Sequence, residues 1–481
     1  MPPVMDRLVA KGPKLAHSLA KQITQDIVVG KLGADAFLGP ERTLLDRYGV
    51  SRDTFREALR QLEWLGIVRA QRGAKGGLYV QSPSQASVVN LLRDYFDFSQ
   101  ANFDELLVVR SVLERELVRA AIESLTDRDV VRLRILQGQF EAGMSRDQFV
   151  VLLFSFYRHL MEIAGNKVIT FCLMPLIFVT VDIANFGKLS DAQFASNSEV
   201  AWSKLKSVVD EVIAGNAFAA DRPLQEFLDF TGQSVGTQIA TLHSESTYPA
   251  WFDLSHSKMA EGLIYRIHRD IRSSGCCQGD RLGTEAELME RYQVSRSTFR
   301  EACRVLEVVG LVQMQKGRDG GLKVAQPQPD NAIAAVVYYL NAIKVPYVSL
   351  TAVRNAIELT AIPLAASNVT EGAIEELSAL LARQQALLGD ADFAAASIAT
   401  QKAINHLSGN DILNFYYDAL LDSIYFSDQG KEAVAKLVRH SEAITVSQAS
   451  IVDAVLHRDQ ALARRRVLQH HAVIERYIGA A

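Results

Sequence analysis

Four arginines stand where they could do chemistry on an anion. Arg52 and Arg56 lie in SRDTFREA, and Arg296 and Arg300 in SRSTFREA. Each pair opens a segment whose apolar residues recur at helical spacing: Phe55, Ala58, Leu59, Leu62 and Leu65 in one, Phe299, Ala302, Leu306 and Val309 in the other. The dipole of a helix disfavours cations at its N-terminus. Two arginines placed there, and placed there twice, point to an external anion; duplex DNA entered by the N-terminal turn is the anion that fits. Ser51 and Ser295 precede them as N-caps. Thr54, Ser297 and Thr298 share the same outward turn and are expected to bond phosphate or a base edge. Asp53 stands where the second segment has Ser297. A carboxylate there repels phosphate unless it accepts from a cytosine amino group, so the two segments are expected to prefer different half-sites.

These turns need a scaffold. Upstream, LAHSLAKQITQDIVVGKL has the pattern of an amphipathic helix, and a loop with Pro40 leads to a short helix from Glu41 to Tyr48. Gly49 and Val50 make the turn, and the reading helix runs from about Arg52 to Leu65. Downstream, GIVRAQRGAKGGLYVQ alternates as a hairpin, with Arg72, Lys75 and Gly76 near its tip. QMQKGRDGGLKVAQ repeats it with Lys316, Arg318 and Gly320. Such basic, glycine-permitted wings suit a phosphate backbone or a minor groove.

The correspondence extends far beyond the arginines. Tyr48–Val68 matches Tyr292–Val312 at an offset of 244, and the offset persists through Arg110 and Arg354, Glu114 and Glu358, Gly165 and Gly409, and Asn166 and Asn410. Duplication of a whole unit accounts for this. Each unit has a head with a short β segment, then a long stretch of helical periodicity such as FDELLVVRSVLERELVRAAI. The expected domains are an N-terminal tail (1–14), a first winged helix-turn-helix (15–84), a first helical domain (85–240), a linker (241–256), a second winged helix-turn-helix (257–328) and a second helical domain (329–481). The fold class is mainly α, with two small β-wings. Trp251 and Phe252 are expected to pin the linker to a surface. Charge divides along the same lines: 10 basic against 7 acidic residues over 15–84 and 12 against 9 over 257–329 make each head +3, leaving −10 elsewhere in a chain of net charge −4. Basic heads on acidic bodies point the heads at DNA.

GPERTLLDRYGVSRDTFREALRQLEWLGIV and GTEAELMERYQVSRSTFREACRVLEVVGLV, with their glycine-rich wings, resemble the GntR superfamily of bacterial regulators. RSVLERELVRAA, RNAIELTAIPLA and the IAGN and LSGN segments resemble its FadR-like subfamily, which carries an FCD-type all-α sensor. The resemblance implies a DNA-binding transcription regulator, a repressor, acting on a roughly palindromic operator as a one-chain pseudo-dimer, with a further homodimer left open. It also implies a small-molecule effector such as an organic acid. Arg42 matches a family arginine whose counterpart here is Ala286. Many family sensors hold a divalent metal through one Asp and three His. Those positions fall at Leu153, Tyr157, Leu205 and Phe227 in the first sensor, and at Ser397, Gln401, Gln448 and His470 in the second. One histidine cannot complete a site, so both sensors are expected to be metal-free. The first pocket is expected to be filled or apolar; the second set could bond an effector directly. Arg110 and Arg354 match the family arginine that pairs with an effector carboxylate; the alternative is an internal ion pair to Glu114 or Glu358 at i+4. His159 and His406 lie off register and are expected to be surface or satisfied core residues.

The remaining features exclude other classes. Hydrophobic residues make up 48% of the 481 and charged residues 22%, the balance of a globular protein. No apolar run reaches the roughly 20 residues that span a bilayer, and the N-terminal stretch lacks a signal-peptide core, so a cytoplasmic, nucleoid-associated location without membrane contact is expected. Cys172, Cys276, Cys277 and Cys303 lack zinc spacing. No nucleophile motif, phosphate loop or metal set appears, so neither catalysis nor a cofactor is expected. The rival reading is an architectural DNA-binding protein whose helical domains sense nothing.

Overall fold

The computed structural model describes residues 13–30, 32–64, 66–71, 76–81, 85–98, 102–186, 190–236, 258–274, 276–308, 310–315, 317, 320–325 and 329–479. The first head comprises α1 (Pro13–Val29), β1 (Phe37–Gly39), α2 (Glu41–Tyr48), α3 (Arg52–Trp64), β2 (Val68–Gln71) and β3 (Gly77–Val80), followed by α4 (Gln85–Phe98). The first sensor is α5 (Phe103–Ser124), α6 (Asp127–Gly138), α7 (Arg146–Ala164), α8 (Lys167–Phe186), α9 (Asp191–Ile213) and α10 (Ala217–Gly236). The second head repeats the first as α11 (Lys258–Ser273), β4 (Arg281–Gly283), α12 (Glu285–Tyr292), α13 (Arg296–Val308), β5 (Val312–Gln315) and β6 (Gly321–Val324), followed by α14 (Pro329–Ala342). The second sensor is α15 (Tyr347–Asn368), α16 (Glu371–Ala386), α17 (Phe393–His406), α18 (Asp411–Phe426), α19 (Asp428–Arg439), α20 (Ser441–Leu456) and α21 (Gln460–Ile478). Among the described residues no helix is long and apolar enough to cross a membrane.

Each head is built on one helix pair. α1 buries Ala16, Leu19, Ala20, Ile23 and Ile27, a stripe at three- and four-residue intervals, and packs on α3, which buries Phe55, Ala58, Leu59 and Leu62. α11 and α13 repeat this with Ala260, Leu263, Ile264, Ile267 and Ile271 against Phe299, Ala302 and Leu306. Leu65 and Val309 lie outside the described residues. A tyrosine at the end of the short helix ties it back in both heads: the Tyr48 hydroxyl donates to Asp26 and that of Tyr292 to Asp270, each at 2.8 Å. The wing is a three-stranded antiparallel sheet in the order β1–β3–β2, and β4–β6–β5 in the second head. Its ladder runs from Val68 opposite Val80 to Gln71 opposite Gly77, and from Val312 opposite Val324 to Gln315 opposite Gly321, the same register 244 residues on. A Cβ on Gly77 would lie 2.7 Å from the Gly39 carbonyl oxygen and one on Gly321 2.5 Å from that of Gly283, so only glycine lets the edge strand approach.

The chain divides into two compact units. One joins Met1–Ser99 to Asp253–Lys344; the other joins Gln100–Phe252 to Val345–Ala481. Each unit takes one half from each repeat: heads with heads, sensors with sensors. α4 and α14 lie just past the head boundaries expected at 84 and 328, and they cluster with the heads because α14 packs on both α4 and α1. From α14 the Tyr338 hydroxyl donates to the Gln81 carbonyl of the first head. The reading helices α3 and α13 touch. In the sensor unit, α5 packs on α15 and α18, and α8 on α15. Asn410 Nδ2 donates to the Glu105 carbonyl at 3.1 Å, the Asp411 N–H to the Glu105 carboxylate at 3.0 Å, and the Tyr416 hydroxyl to the Cys172 carbonyl at 2.7 Å. The expected tail 1–14, apart from the two residues that begin α1, and the expected linker 241–256 with Trp251 and Phe252 lie outside the described residues.

The two heads fill the same left-handed position after the short helix with different residues. Gly49 ends α2 in the left-handed conformation (φ 63°), and its counterpart Gln293 does the same after α12 (φ 54°). A side chain costs roughly 1–2 kcal/mol in that region, which the bond from Gln293 Nε2 to the Glu290 carbonyl at 2.7 Å partly offsets. Replacing Gln293 by Gly should therefore stabilise the second head by up to about 1 kcal/mol, after the extra freedom glycine gains in the unfolded chain. Thermal melting of the full chain checks this; a lower melting temperature for Gln293→Gly would show that the side-chain bond outweighs the strain.

Candidate functional site

Ser51 and Ser295 cap α3 and α13: the N–H groups of Thr54 and Thr298 donate to their hydroxyls, each at 3.2 Å. With Phe55 and Phe299 fully buried one turn in, the first turn is left outside. Arg52 and Arg56 are 69% and 57% exposed at the side chain, Arg296 and Arg300 67% and 54%. Arg42 and Ser297 are also exposed. Thr298 departs from expectation. It is only 6% exposed, because its hydroxyl turns back to Ser295 Oγ at 2.9 Å; Thr54 Oγ1 bonds Ser51 in the same way at 2.8 Å. These threonines shape the cap more than they present a donor to DNA. Gly76 and Gly320 lie immediately before β3 and β6. Arg72, Lys75, Lys316 and Arg318 fall outside the described residues.

A carboxylate accompanies each arginine pair, and the sequence reading missed it. Glu41 Oε1 lies 3.6 Å from Arg52 Nε and 3.8 Å from Arg56 Nε. Glu285 Oε1 accepts from Arg296 Nε at 2.9 Å and from Arg300 Nε at 3.0 Å. The hydrogen bond from Arg296, and then that from Arg300, holds Glu285 below the usual carboxylate range. The available signal was positional: Glu41 and Glu285 are themselves 244 apart, each at the first position of its helix.

The two sensors solve the same burial problem differently. Glu114 and Glu358 are both about 1–2% exposed. In the first sensor Arg110 neutralises Glu114 with two hydrogen bonds, from Nε at 2.8 Å and Nη2 at 2.5 Å. Tyr157 accepts from Arg110 and donates to Glu114, each at 3.0 Å. The internal pair weighed for Arg110 is thus the arrangement found, and its guanidinium is taken. Leu153, Leu205 and Phe227 are also buried. In the second sensor Glu358 has other partners: His471 Nε2 at 2.7 Å, the Tyr417 hydroxyl at 3.2 Å, and Gln401 Nε2. Burial alone would raise Glu358; the bond from His471 and the positive field of Arg354 overcome it and hold the group well below the usual carboxylate range. Arg354 makes no direct pair with Glu358. Its Nη2 donates to Asn355 at 2.6 Å, and its buried Nε has no partner.

A cavity of about 70 Å³ is lined by Arg354, together with Ser397, Gln401, Gln448 and His470. The polar set is largely spent on itself, however. Ser397 Oγ and Gln384 Nε2 donate to Gln448 Oε1 at 2.9 and 2.6 Å, and Gln448 Nε2 donates to Gln401 Oε1 at 2.9 Å. Burial pushes His470 down to about 4, so it is neutral at neutral pH, and its Nδ1 meets Ser447 Oγ at 2.8 Å. α19 closes one side through Ala433, Val434 and Leu437. In the first sensor the corresponding segment is divided between the end of α8 and the start of α9.

Among the described residues, no group of three or more His, Cys, Asp or Glu is placed to hold a metal. His406 is exposed and bonds Asp418 at 3.1 Å. His159 is neither surface nor satisfied: it is 3% exposed, with both ring nitrogens unbonded, 3.9 Å from Asp129 and 3.6 Å from Glu162. Cys172 and Cys303 are buried thiols, Cys276 is partly exposed and Cys277 exposed.

Comparison with known proteins follows the same division. The FCD domain profile matches residues 105–230 and 349–472, and the profile of bacterial regulatory proteins, gntR family, matches 15–80 and 259–319. The HTH-type transcriptional repressor NanR of Enterobacter sp. (strain 638) is 28% identical over 221 residues, 45% of this chain and 84% of that protein. NanR of Cronobacter sakazakii is 27% identical over 227 residues, with the same coverage of 45% and 84%. Among solved structures, Streptococcus agalactiae GntR aligns with 45% of this chain and 99% of its own length at 18% identity and a TM-score of 0.35. With the DNA-binding head and the FCD domain each present twice, this chain belongs to the gntR family of bacterial regulatory proteins, as a tandem-duplicated, FadR-like DNA-binding transcription regulator.

Proposed function

We propose that the chain is a repressor that reads a near-palindromic operator as a one-chain pseudo-dimer and responds to a small carboxylate bound in its second sensor. The observation that carries this reading is the gathering of both heads into one unit with α3 against α13. Ordinary dimeric regulators bring two reading helices together by association; here the linker supplies the second copy. Helices in contact favour half-sites within one helical turn. Arg42, Arg52, Arg56, Arg296 and Arg300 would contact DNA, helped by Ser51, Ser295 and Ser297 at the helix starts and by the wings. The relatives' description as transcriptional repressors supports the sign of regulation. Such work belongs on the nucleoid, in the cytoplasm.

The effector assignment rests on Arg354, which lines the cavity and whose buried Nε has no partner. A buried guanidinium nitrogen without an acceptor costs free energy that a bound carboxylate would recover. Arg110, already paired, has no such need, so one carboxylate site per chain is expected. Binding would favour one arrangement of the heads over another and so change operator affinity.

Three outcomes test this. The double variant Arg52→Ala/Arg296→Ala should lose roughly 100-fold or more in affinity for a duplex selected by the wild-type chain from a randomised pool, with circular dichroism unchanged; unaltered affinity would remove the DNA-reading role of these helices. Cutting a protease site introduced at Ser246 should leave two halves that co-elute and still bind that duplex; halves that separate would end the pseudo-dimer. In a thermal-shift screen of small organic acids, a hit should raise the melting temperature, bind calorimetrically at one site per chain with or without EDTA, and lose its effect in Arg354→Gln. A hit that persists in Arg354→Gln, or that needs metal, would refute the site.

A further inference from the structure

We infer that Glu41 and Glu285 are positioning residues that set the sequence discrimination of the two heads, each fixing a pair of recognition-helix arginines so that the outer edges of their guanidinium groups face the DNA. This rests on the reading of both heads as DNA-reading modules and adds to it a pair of acidic residues on the helix before the recognition helix.

The geometry is specific. In all four ion pairs the nitrogen nearest the carboxylate is Nε, and in each head both arginines meet Oε1 of that head's glutamate, Glu41 or Glu285. An arginine held at Nε keeps both Nη groups free, and those two are the parallel donors that match O6 and N7 of guanine. An unheld arginine swings on a long, flexible side chain toward the nearest phosphate, and phosphate contacts carry no sequence information. One carboxylate between two guanidinium groups also lowers the local charge from +2 to +1. It weakens the sequence-independent attraction, which scales with the phosphates neutralised, while leaving base contacts intact. Discrimination is the difference between these two terms.

The arrangement is kept in both heads, 244 residues apart, although the neighbouring residues have diverged: Pro40 and Arg42 flank Glu41, Thr284 and Ala286 flank Glu285. The clamps differ in tightness. Glu285 is at hydrogen-bond distance from both arginines, whereas Glu41 stands at 3.6 and 3.8 Å. The second head is therefore the more constrained reader, and the first, with Arg42 added, the more adaptable. The competing role is local: an acidic residue in the first turn of a helix is favourable to the helix dipole, and on that account its loss would cost stability and nothing in selectivity.

The double variant Glu41→Gln/Glu285→Gln in the full chain separates the two. Binding is measured over a salt series to the duplex selected by the wild-type chain from a randomised pool and to a random-sequence duplex of equal length. Affinity for the random duplex should rise severalfold, and its log–log salt slope should steepen by about one per head as freed arginines take phosphates. The selected-to-random ratio should fall roughly tenfold per head, within what one arginine–guanine contact discriminates. Parallel weakening on both duplexes, or an unchanged ratio and slope, would overturn the inference and leave the glutamates a structural role. If the wild-type chain selects no sequence from the pool, the DNA-reading function itself fails, and the inference with it.

Discussion

The docking of each reading helix through a single apolar face governs what the heads can present. With Phe55, Ala58 and Leu62 fully buried against α1, the rotation of α3 about its axis is fixed, and the helical period then dictates that Arg52 and Arg56 emerge one turn apart on the open side. The same holds for α13. Nothing about the arginines themselves sets their direction; the phenylalanine between them does. Burying an aromatic ring is worth several times any exposed ion pair, so the carboxylate clamps adjust the tips of the arginines without competing for the helix.

In the sensors the governing constraint is electrostatic. A carboxylate removed from water must be compensated by donors or by opposite charge, and Glu114 and Glu358 are compensated in different ways. Where the compensation comes from the arginine one turn earlier, as with Arg110, the centre is closed and tyrosine fills it. Where histidine, tyrosine and glutamine supply it instead, the arginine is displaced from its duty and turns to a cavity. A few substitutions at matched positions, Tyr157 for Gln401 above all, thus separate a closed core from one that keeps a cavity on the same scaffold.

Much of this was legible in the chain. The head helices, their apolar faces, the serine caps and the hairpin wings follow from local spacing, and duplication let each half check the other. The cavity-lining set Ser397, Gln401, Gln448 and His470 came from family positions. Its internal wiring did not, because hydrogen bonds between residues 47–64 positions apart leave no trace in periodicity. His471 escaped notice for the same reason: its partner Glu358 is 113 residues away. Thr298 was misplaced because a short hydroxyl side chain can satisfy itself on its own cap, a choice that spacing cannot reveal. α19 has no single-helix counterpart in the first repeat, so comparison of the halves could not announce it.

Tyr338 has no twin. The residue 244 positions before it is Asp94, and its hydroxyl secures the second repeat's connecting helix to a carbonyl of the first head. In an assembly of identical subunits any such contact would be made twice or not at all, and the two ends would be interchangeable. A fused pair is released from that rule. Its halves can diverge one residue at a time, and a contact made on one side only gives the molecule a left and a right. Bound along a double helix, such a molecule has a heading: turning it end for end yields a different complex, as reversing an arrow does and reversing a dumbbell does not.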